Sequence, residues 1–275
     1  MSVQSLYQQK RMSAADAIRV VRNGDTIVVP TAVGEPPALL TALSEQRRDF
    51  RDVQVSQILA VRKFGYLDPE TVENVRHTAY FYSGATRPGG KDGWVDFIPA
   101  YFSEMPSLMN RGLMPADVVF SIASPMDEHG YFSLALAADY TMAAIERARA
   151  VVLEVNPNVP FANGDCHIHI SQVAALCESD EPILEVGLPK IGTVQEAIGK
   201  YVADMIPDGA TLQIGYGGIP DAVVMQLTDK HDLGIHTEMI GDGIMTLVEA
   251  GVVTNRKKNY HHGKMLATFA LGSKK

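Results

Sequence analysis

Two stretches, GDTIVVPTAVGEPPALLTAL at Gly24–Leu43 and DGATLQIGYGGIPDAVVMQL at Asp208–Leu227, read alike: an extended β-branched run, a glycine turn, a proline, then a helical pattern. With a constant offset Gly34 meets Gly218, Pro36 meets Pro220, Ala38 meets Ala222 and Leu43 meets Leu227. Each stretch also follows a helical segment with an Ala-Ile pair, Ala17-Ile18 and Ala197-Ile198. Strand, turn and helix in this order begin a crossover connection, so the repeat predicts two copies of an open α/β domain. Chance likeness is the competing explanation, because few turn types join such elements.

Outward from the repeat, short β-branched runs alternate with amphipathic stretches, the pattern of a mainly parallel sheet with crossover helices. The expected class is α/β. Strands are expected at Thr26–Val29, Val53–Leu59, Thr78–Tyr82, Asp117–Ile122, Ala150–Val155 and Thr211–Ile214, and helices at Ala14–Arg22 with Ser13 as N-cap, Pro37–Glu45, Met142–Ala148, Val194–Met205 and Pro220–Leu227. The first copy then runs from Ala14 to the charged, proline-containing stretch Glu178–Pro189, and the second begins near Val194 and is much shorter. Its last residues, Lys264–Lys275, read as the start of a buried strand and a turn. The expectation is an edge covered by a complementary chain or by self-association.

The chain has 275 residues, 46% hydrophobic and 20% charged, enough apolar material for one large domain or two modest ones. Its net charge of -8 gives no electrostatic footprint for nucleic acid. No apolar run approaches the roughly 18 residues of a membrane helix, and the first residues lack the apolar core of a signal peptide. A soluble, cytoplasmic protein is expected, with neither nucleic acid nor membrane as partner. Two cysteines, Cys166 and Cys177, make no disulfide framework, and no CxxC spacing offers a zinc site.

There is no G-x-S-x-G elbow, no phosphate loop with G-K-[ST] and no H-E-x-x-H. The richest glycine cluster, Gly215-Tyr216-Gly217-Gly218-Ile219-Pro220, follows a strand and opens a helix, but Pro220 stands where a dinucleotide fingerprint needs its third glycine. Two readings stand: a turn made for connection alone, or a bare backbone that an extended ligand approaches beside helix N–H groups. Other motifs divide likewise. His167 and His169 share one strand face as a metal pair or as hydrogen-bonded structure. The run Arg256, Lys257, Lys258, His261, His262 and Lys264 meets phosphates or forms a solvated loop, the latter preferred. Glu128-His129 is a catalytic pair or part of a turn. Glu238 follows a short apolar element and precedes a glycine-bearing turn. The carboxyl ends of neighbouring parallel strands face one crevice, which would bring it toward Gly215–Ile219, unless it is a surface carboxylate capping the next helix. Glu35, in the first copy's turn where the second has Ile219, is the rival carboxylate, and reads more simply as a charge at a helix start favoured by the dipole.

TLQIGYGGIPDAV followed by KHDLGIHTEMIGDGIMTLVEAGVVTN resembles the second domain of the family I CoA-transferases of the acetyl-CoA hydrolase and 4-hydroxybutyrate CoA-transferase group. In the first half AVGEPPALL, VDFIPAYFSEMPSL, SPMDEHGYFSLALAADYT and LEVNPNVP are similar to family segments in the same order. The resemblance covers Ser13 to Lys275. It implies two similar open α/β domains, residues 1–188 as the N-terminal domain and 189–275 as the first part of the C-terminal one, which family members continue well past Lys275. It implies Glu238 as the residue that becomes a glutamyl-CoA thioester and Gly215, Tyr216, Gly217, Gly218 and Ile219 as a CoA-binding segment. It further implies acyl-CoA and a small carboxylic acid as substrates, CoA as co-substrate, no metal or prosthetic group, and a homo-oligomer or a complementary C-terminal chain as partner. Acyl-CoA hydrolysis at the same site, or a silent chain that binds CoA or a partner, are the alternatives.

Overall fold

The structure is a computed structural model that describes residues 2–187 and 189–275. The chain divides into two compact units, residues 1–183 and 184–275. The division expected from the sequence, after residue 188, falls on a position outside the described residues.

The first unit is built on seven parallel strands: β1 (Thr26–Val28), β2 (Val53–Gln57), β3 (Val75–Ala79), β4 (Val95–Phe97), β5 (Val118–Ala123), β7 (Ala150–Val155) and β9 (Ala175–Glu178), in the order β4-β3-β2-β1-β5-β7-β9. A small antiparallel pair, β6 (Tyr131–Ser133) and β8 (His167–His169), lies outside that sheet. The central strands are apolar on both faces, which a parallel sheet covered on both sides requires. Alternate residues go to opposite layers. Ile27, Val118, Phe120 and Val152 pack with Leu39, Leu40 and Leu43 of helix α3 (Pro37–Glu45). Val28, Val119, Val151 and Leu153 pack with Met105 and Met109 of α5 (Met105–Asn110) and Ala144 and Ile145 of α6 (Thr141–Arg147).

The helix expected over Ala14–Arg22 is α only at α2 (Ala14–Ala17) and continues as a 3-10 turn through Val20. Its β-branched residues Ile18, Val20 and Val21 suit a long helix poorly, and Gly24, at φ 83°, turns the chain into β1. Ser13 caps α2, as expected, its hydroxyl accepting from Asp16 N at 3.1 Å. The strand expected at Thr78–Tyr82 lies three residues earlier, at Val75–Ala79, because buried His77 belongs to the ladder and hides the apolar pattern. Helices α1 (Val3–Lys10) and α4 (Arg87–Asp92) complete this unit.

In the second unit, helices α7 (Thr193–Asp204), α8 (Gly218–Met225) and α9 (Asp242–Glu249) accompany short parallel segments: β10 (Thr211–Leu212), β11 (Gly234–Ile235), β12 (Met239–Ile240) and β13 (Phe269–Ala270). Its core gathers Ala203, Val224, Leu227, Leu233, Ile235, Ile244 and Leu247. The chain order strand, helix, adjacent parallel strand is that of β1–α3–β2 in the first unit, repeated as β10–α8–β11. At the matched glycines the packing differs. A Cβ on Gly34 would meet Pro30 Cβ and Ala137 Cβ at 2.7 Å, whereas at Gly218 the nearest atom, Gln195 Cγ, is 3.6 Å away. Gly34 is a close-packing glycine and Gly218 is not.

Candidate functional site

The sequence alternation through Leu233, Ile235, Thr237 and Met239 buries those four side chains and leaves His236 and Glu238 between them exposed. Ladder pairing of β10 with β11 runs Thr211 to Gly234 and Leu212 to Ile235, with His236 N donating to Leu212 O at 3.0 Å. Two residues on, the Thr237 hydroxyl takes over. Its Oγ1 accepts from Ile214 N and donates to Ile214 O, both at 3.0 Å, and the side chain is only 5% exposed. The next residues on either side of this tie are Gly215 and Glu238, so the sequence-predicted carboxylate and glycine turn leave the sheet at one point. On its other side Glu238 is fixed by its own carbonyl, which accepts from Thr268 N (3.0 Å), Thr268 Oγ1 (2.7 Å) and Phe269 N (3.3 Å).

The glycine turn is open. Among the described residues a Cβ on Gly215 or Gly217 would meet only Pro220, at 3.8 and 4.0 Å, so no described neighbour demands either glycine by packing. Gly217 is demanded by backbone: at φ 133° and ψ 171° it occupies a region reserved almost wholly for glycine while it starts α8. Tyr216 and Ile219, 58% and 45% exposed, flank the bare backbone. α8 begins at Gly218 rather than at Pro220, which places the proline in the first turn, where its missing N–H breaks no helix bond. A pocket at the turn is lined by Ile214, Gly215, Tyr216, Asp221, Met239, Gly241 and Asp242, among others. Burial, then the charge of Asp242, holds the Asp221 carboxyl above its ordinary range. Asp242 itself accepts from Ser273 N.

The basic run is the exposed loop expected at Arg256, Lys257, His261, His262 and Lys264, with Lys258 as the exception. Lys258 is 4% exposed, and its ammonium donates to Ile235 O at 2.8 Å and Lys264 O at 2.6 Å, while Asn255 Oδ1 accepts from Ile235 N at 2.8 Å. The Lys258 ammonium thus ties the loop's own Lys264 O to the strand that leads to Glu238, where Ile235 O accepts from Leu266 N as well. His236 stacks on exposed Tyr260 with ring centroids 6.1 Å apart. His167 and His169 serve local structure. His167 Nε2 is hydrogen-bonded with Ala162 O, and His169 Nδ1 accepts from Ser171 N. Glu128 and His129 are exposed in a turn held by Asp127 Oδ1, which accepts from His129 N and Tyr131 N.

Glu35 corrects a second expectation. It is buried, and its Oε1 accepts from Val61 N (2.8 Å) and Gln57 Nε2 (3.1 Å), not from helix N–H groups. The carboxylate at the start of α3 is Glu154 from β7, whose Oε2 accepts from Ala38 N (2.7 Å) and Leu39 N (3.3 Å). Burial outweighs these hydrogen bonds and pushes both carboxyls up to about 7. Burial likewise raises Asp139 to about 6, although it accepts from Thr141 N, Thr141 Oγ1 and Thr31 N. Sequence reasoning missed Glu154, though a lone acid in the apolar strand AVVLEV was a usable signal, and Thr237, whose signal is a polar residue on the buried side of the alternation.

A family model for the acetyl-CoA hydrolase/transferase N-terminal domain matches residues 1–186. Succinyl-CoA:cyclohexane-1-carboxylate CoA transferase of Geobacter metallireducens is 43% identical over 99% of this chain and 62% of its own length. The 4-hydroxybutyrate coenzyme A transferase of Clostridium kluyveri is 41% identical over 100% of this chain and 64% of its own. This chain therefore spans less than two thirds of the length of those two curated relatives. Among solved structures, RipA from Yersinia pestis matches with a TM-score of 0.94 at 33% identity, covering 100% of this chain and 66% of RipA. A 4-hydroxybutyrate CoA-transferase from Porphyromonas gingivalis matches with a TM-score of 0.87 at 35% identity, covering 98% and 65%.

Proposed function

This chain belongs to the acetyl-CoA hydrolase/transferase family, and from that premise we propose that it moves CoA from an acyl-CoA to a free carboxylic acid, with Glu238 as nucleophile and Gly215, Tyr216, Gly217, Gly218 and Ile219 as the CoA-binding segment. The observation that supports this most is the exposed Glu238 leaving the sheet beside an open glycine turn, at the carboxyl ends of parallel strands.

In the proposed reaction a Glu238 carboxylate oxygen attacks the thioester carbonyl carbon; the C–S bond breaks, giving a mixed anhydride and CoA thiolate. The thiolate attacks the Glu238 side of the anhydride and expels the first acid as its carboxylate, leaving CoA as a thioester on Glu238. The acceptor carboxylate attacks that thioester and reverses the sequence onto itself. Thioester energy is conserved as long as water reaches neither intermediate. Backbone N–H groups of Gly217 and Gly218, at the start of α8, are the proposed donors to the developing oxyanions.

The test incubates the protein with acetyl-CoA and no acceptor and maps the covalent CoA adduct. It is expected on the peptide bearing Glu238, and Glu238→Gln should lose transfer by orders of magnitude while staying folded. An adduct on another residue, or wild-type transfer in Glu238→Gln free of deamidated protein, refutes the assignment. With butyrate added, CoA exchange rather than thiol release distinguishes transfer from hydrolysis.

A further inference from the structure

We propose that Thr237 is the positioning residue of this site: its hydroxyl, in place of a backbone ladder, sets the Glu238 carboxylate against the glycine turn. The inference rests on the reading of Glu238 as nucleophile. Regular pairing between β10 and β11 ends at Leu212 and Ile235, where the chain of β10 turns away into Gly215–Ile219. Because the ladder ends there, Ile214 N and O lose the ladder partners that continued pairing would give them, and unpaired backbone groups at a half-buried position cost free energy. One buried hydroxyl answers both. Thr237 Oγ1 accepts from Ile214 N and donates to Ile214 O, each at 3.0 Å.

Three features make the tie specific to position rather than to bulk stability. It joins the residues immediately preceding Gly215 and Glu238, so movement at the tie alters the spacing between turn and carboxylate directly. A hydroxyl is the smallest side group that both accepts and donates, which Val, of the same shape, cannot do. Thr237 is also held from the other side, its N–H donating to Leu266 O at 3.0 Å, so the side chain is a fixed strut between neighbouring segments. Its β-branched χ1 has few alternatives. Displacement of a reacting group by about 1 Å costs a rate of about 10²-fold, so a strut at this place acts on the chemical step more than on binding.

The experiment compares wild type, Thr237→Val and Thr237→Ser. Each is given acetyl-CoA without acceptor, the rate of adduct formation on Glu238 is followed by mass spectrometry, CoA affinity is measured by calorimetry, and exchange of the Ile214 amide hydrogen is recorded. Thr237→Val is expected to form the adduct about 10–100-fold more slowly, with CoA affinity near wild type and faster exchange at Ile214. Thr237→Ser, which restores the hydroxyl, is expected to recover both. A folded Thr237→Val protein that reacts at the wild-type rate overturns the proposal, as does a Thr237→Ser protein as slow as Thr237→Val. If Thr237→Val does not fold, Thr237→Ala takes its place, and loss of folding in both assigns the hydroxyl to stability and overturns the positioning role. Absence of any adduct on Glu238 in the wild type instead defeats the reading of the site itself, and the positioning role falls with it.

Discussion

Replacing Glu35 by glutamine is expected to make the first unit markedly less sensitive to pH. In the folded chain burial raises this carboxyl from the ordinary glutamate value of 4.5 to about 7, against hydrogen bonds from Val61 N and Gln57 Nε2. Gln57, Tyr66 and Arg62 are the polar or charged neighbours, with Tyr66 OH in turn 3.4 Å from His77 Nδ1. Glu35 Oε2 and Gln57 Oε1 are both buried acceptors without a hydrogen-bond partner among the described residues. A proton on Oε2, or the amide of a glutamine, turns one of them into a donor. The sign follows from proton binding. Between pH 4.5 and 7 the folded state holds a proton that the unfolded state has released, so stability falls as pH rises through this window and levels off above it. At about 1.4 kcal/mol for each tenfold change in proton affinity, the loss from this one group is about 3 kcal/mol. Burial at 3% exposure means that solvent screening takes little from this figure. Urea unfolding at pH 5 and pH 8, read by the fluorescence of the sole tryptophan, Trp94, which packs against the first unit's core, checks it. Taking the difference between Glu35→Gln and wild type cancels the similar contributions of Glu154 and Asp139. Glu35→Gln should gain about 2–3 kcal/mol relative to wild type on going from pH 5 to pH 8. A difference that stays constant between the two pH values refutes the reasoning.

Two further substitutions separate backbone from contact at the site. Gly217→Ala should cost about 1–3 kcal/mol through its φ of 133°, whereas Gly218→Ala, whose methyl meets Gln195 Cγ at 3.6 Å in ordinary contact, should fold as wild type; equal unfolding midpoints for the two variants contradict this. Lys258→Met keeps the stem but removes the ammonium's hydrogen bonds to Ile235 O and Lys264 O, and should lower stability by about 2 kcal/mol in denaturant melts followed by circular dichroism; an unchanged midpoint means that the loop is not held by the ammonium.

What the sequence by itself determined was whatever local pattern determines. The helix Pro37–Glu45 and the strand Ala150–Val155 lie where their periodicity put them, and Ser13 caps the following turn, because apolar spacing, proline at a first turn and a capping hydroxyl act within a few residues. The strand–turn–helix repeat was legible for the same reason, whereas Glu238 and the glycine cluster were singled out by family resemblance. Which carboxylates are buried was decided elsewhere. Glu35 stands two residues before α3 and reads as its dipole partner, yet Glu154, more than a hundred residues away, holds that place, because parallel pairing of β5 with β7 brings it under the helix start. The loop at Val61 closes over Glu35 instead. Lys258 looks like one of a row of solvated cations until the loop folds back and offers it two carbonyls. Thr237 is marked in the sequence only as a polar residue on the buried side of an alternation. Its role exists only where β10 and the segment bearing Glu238 part company, and hydrogen-bond partners, unlike periodicity, are properties of two segments whose nearness only the tertiary structure sets.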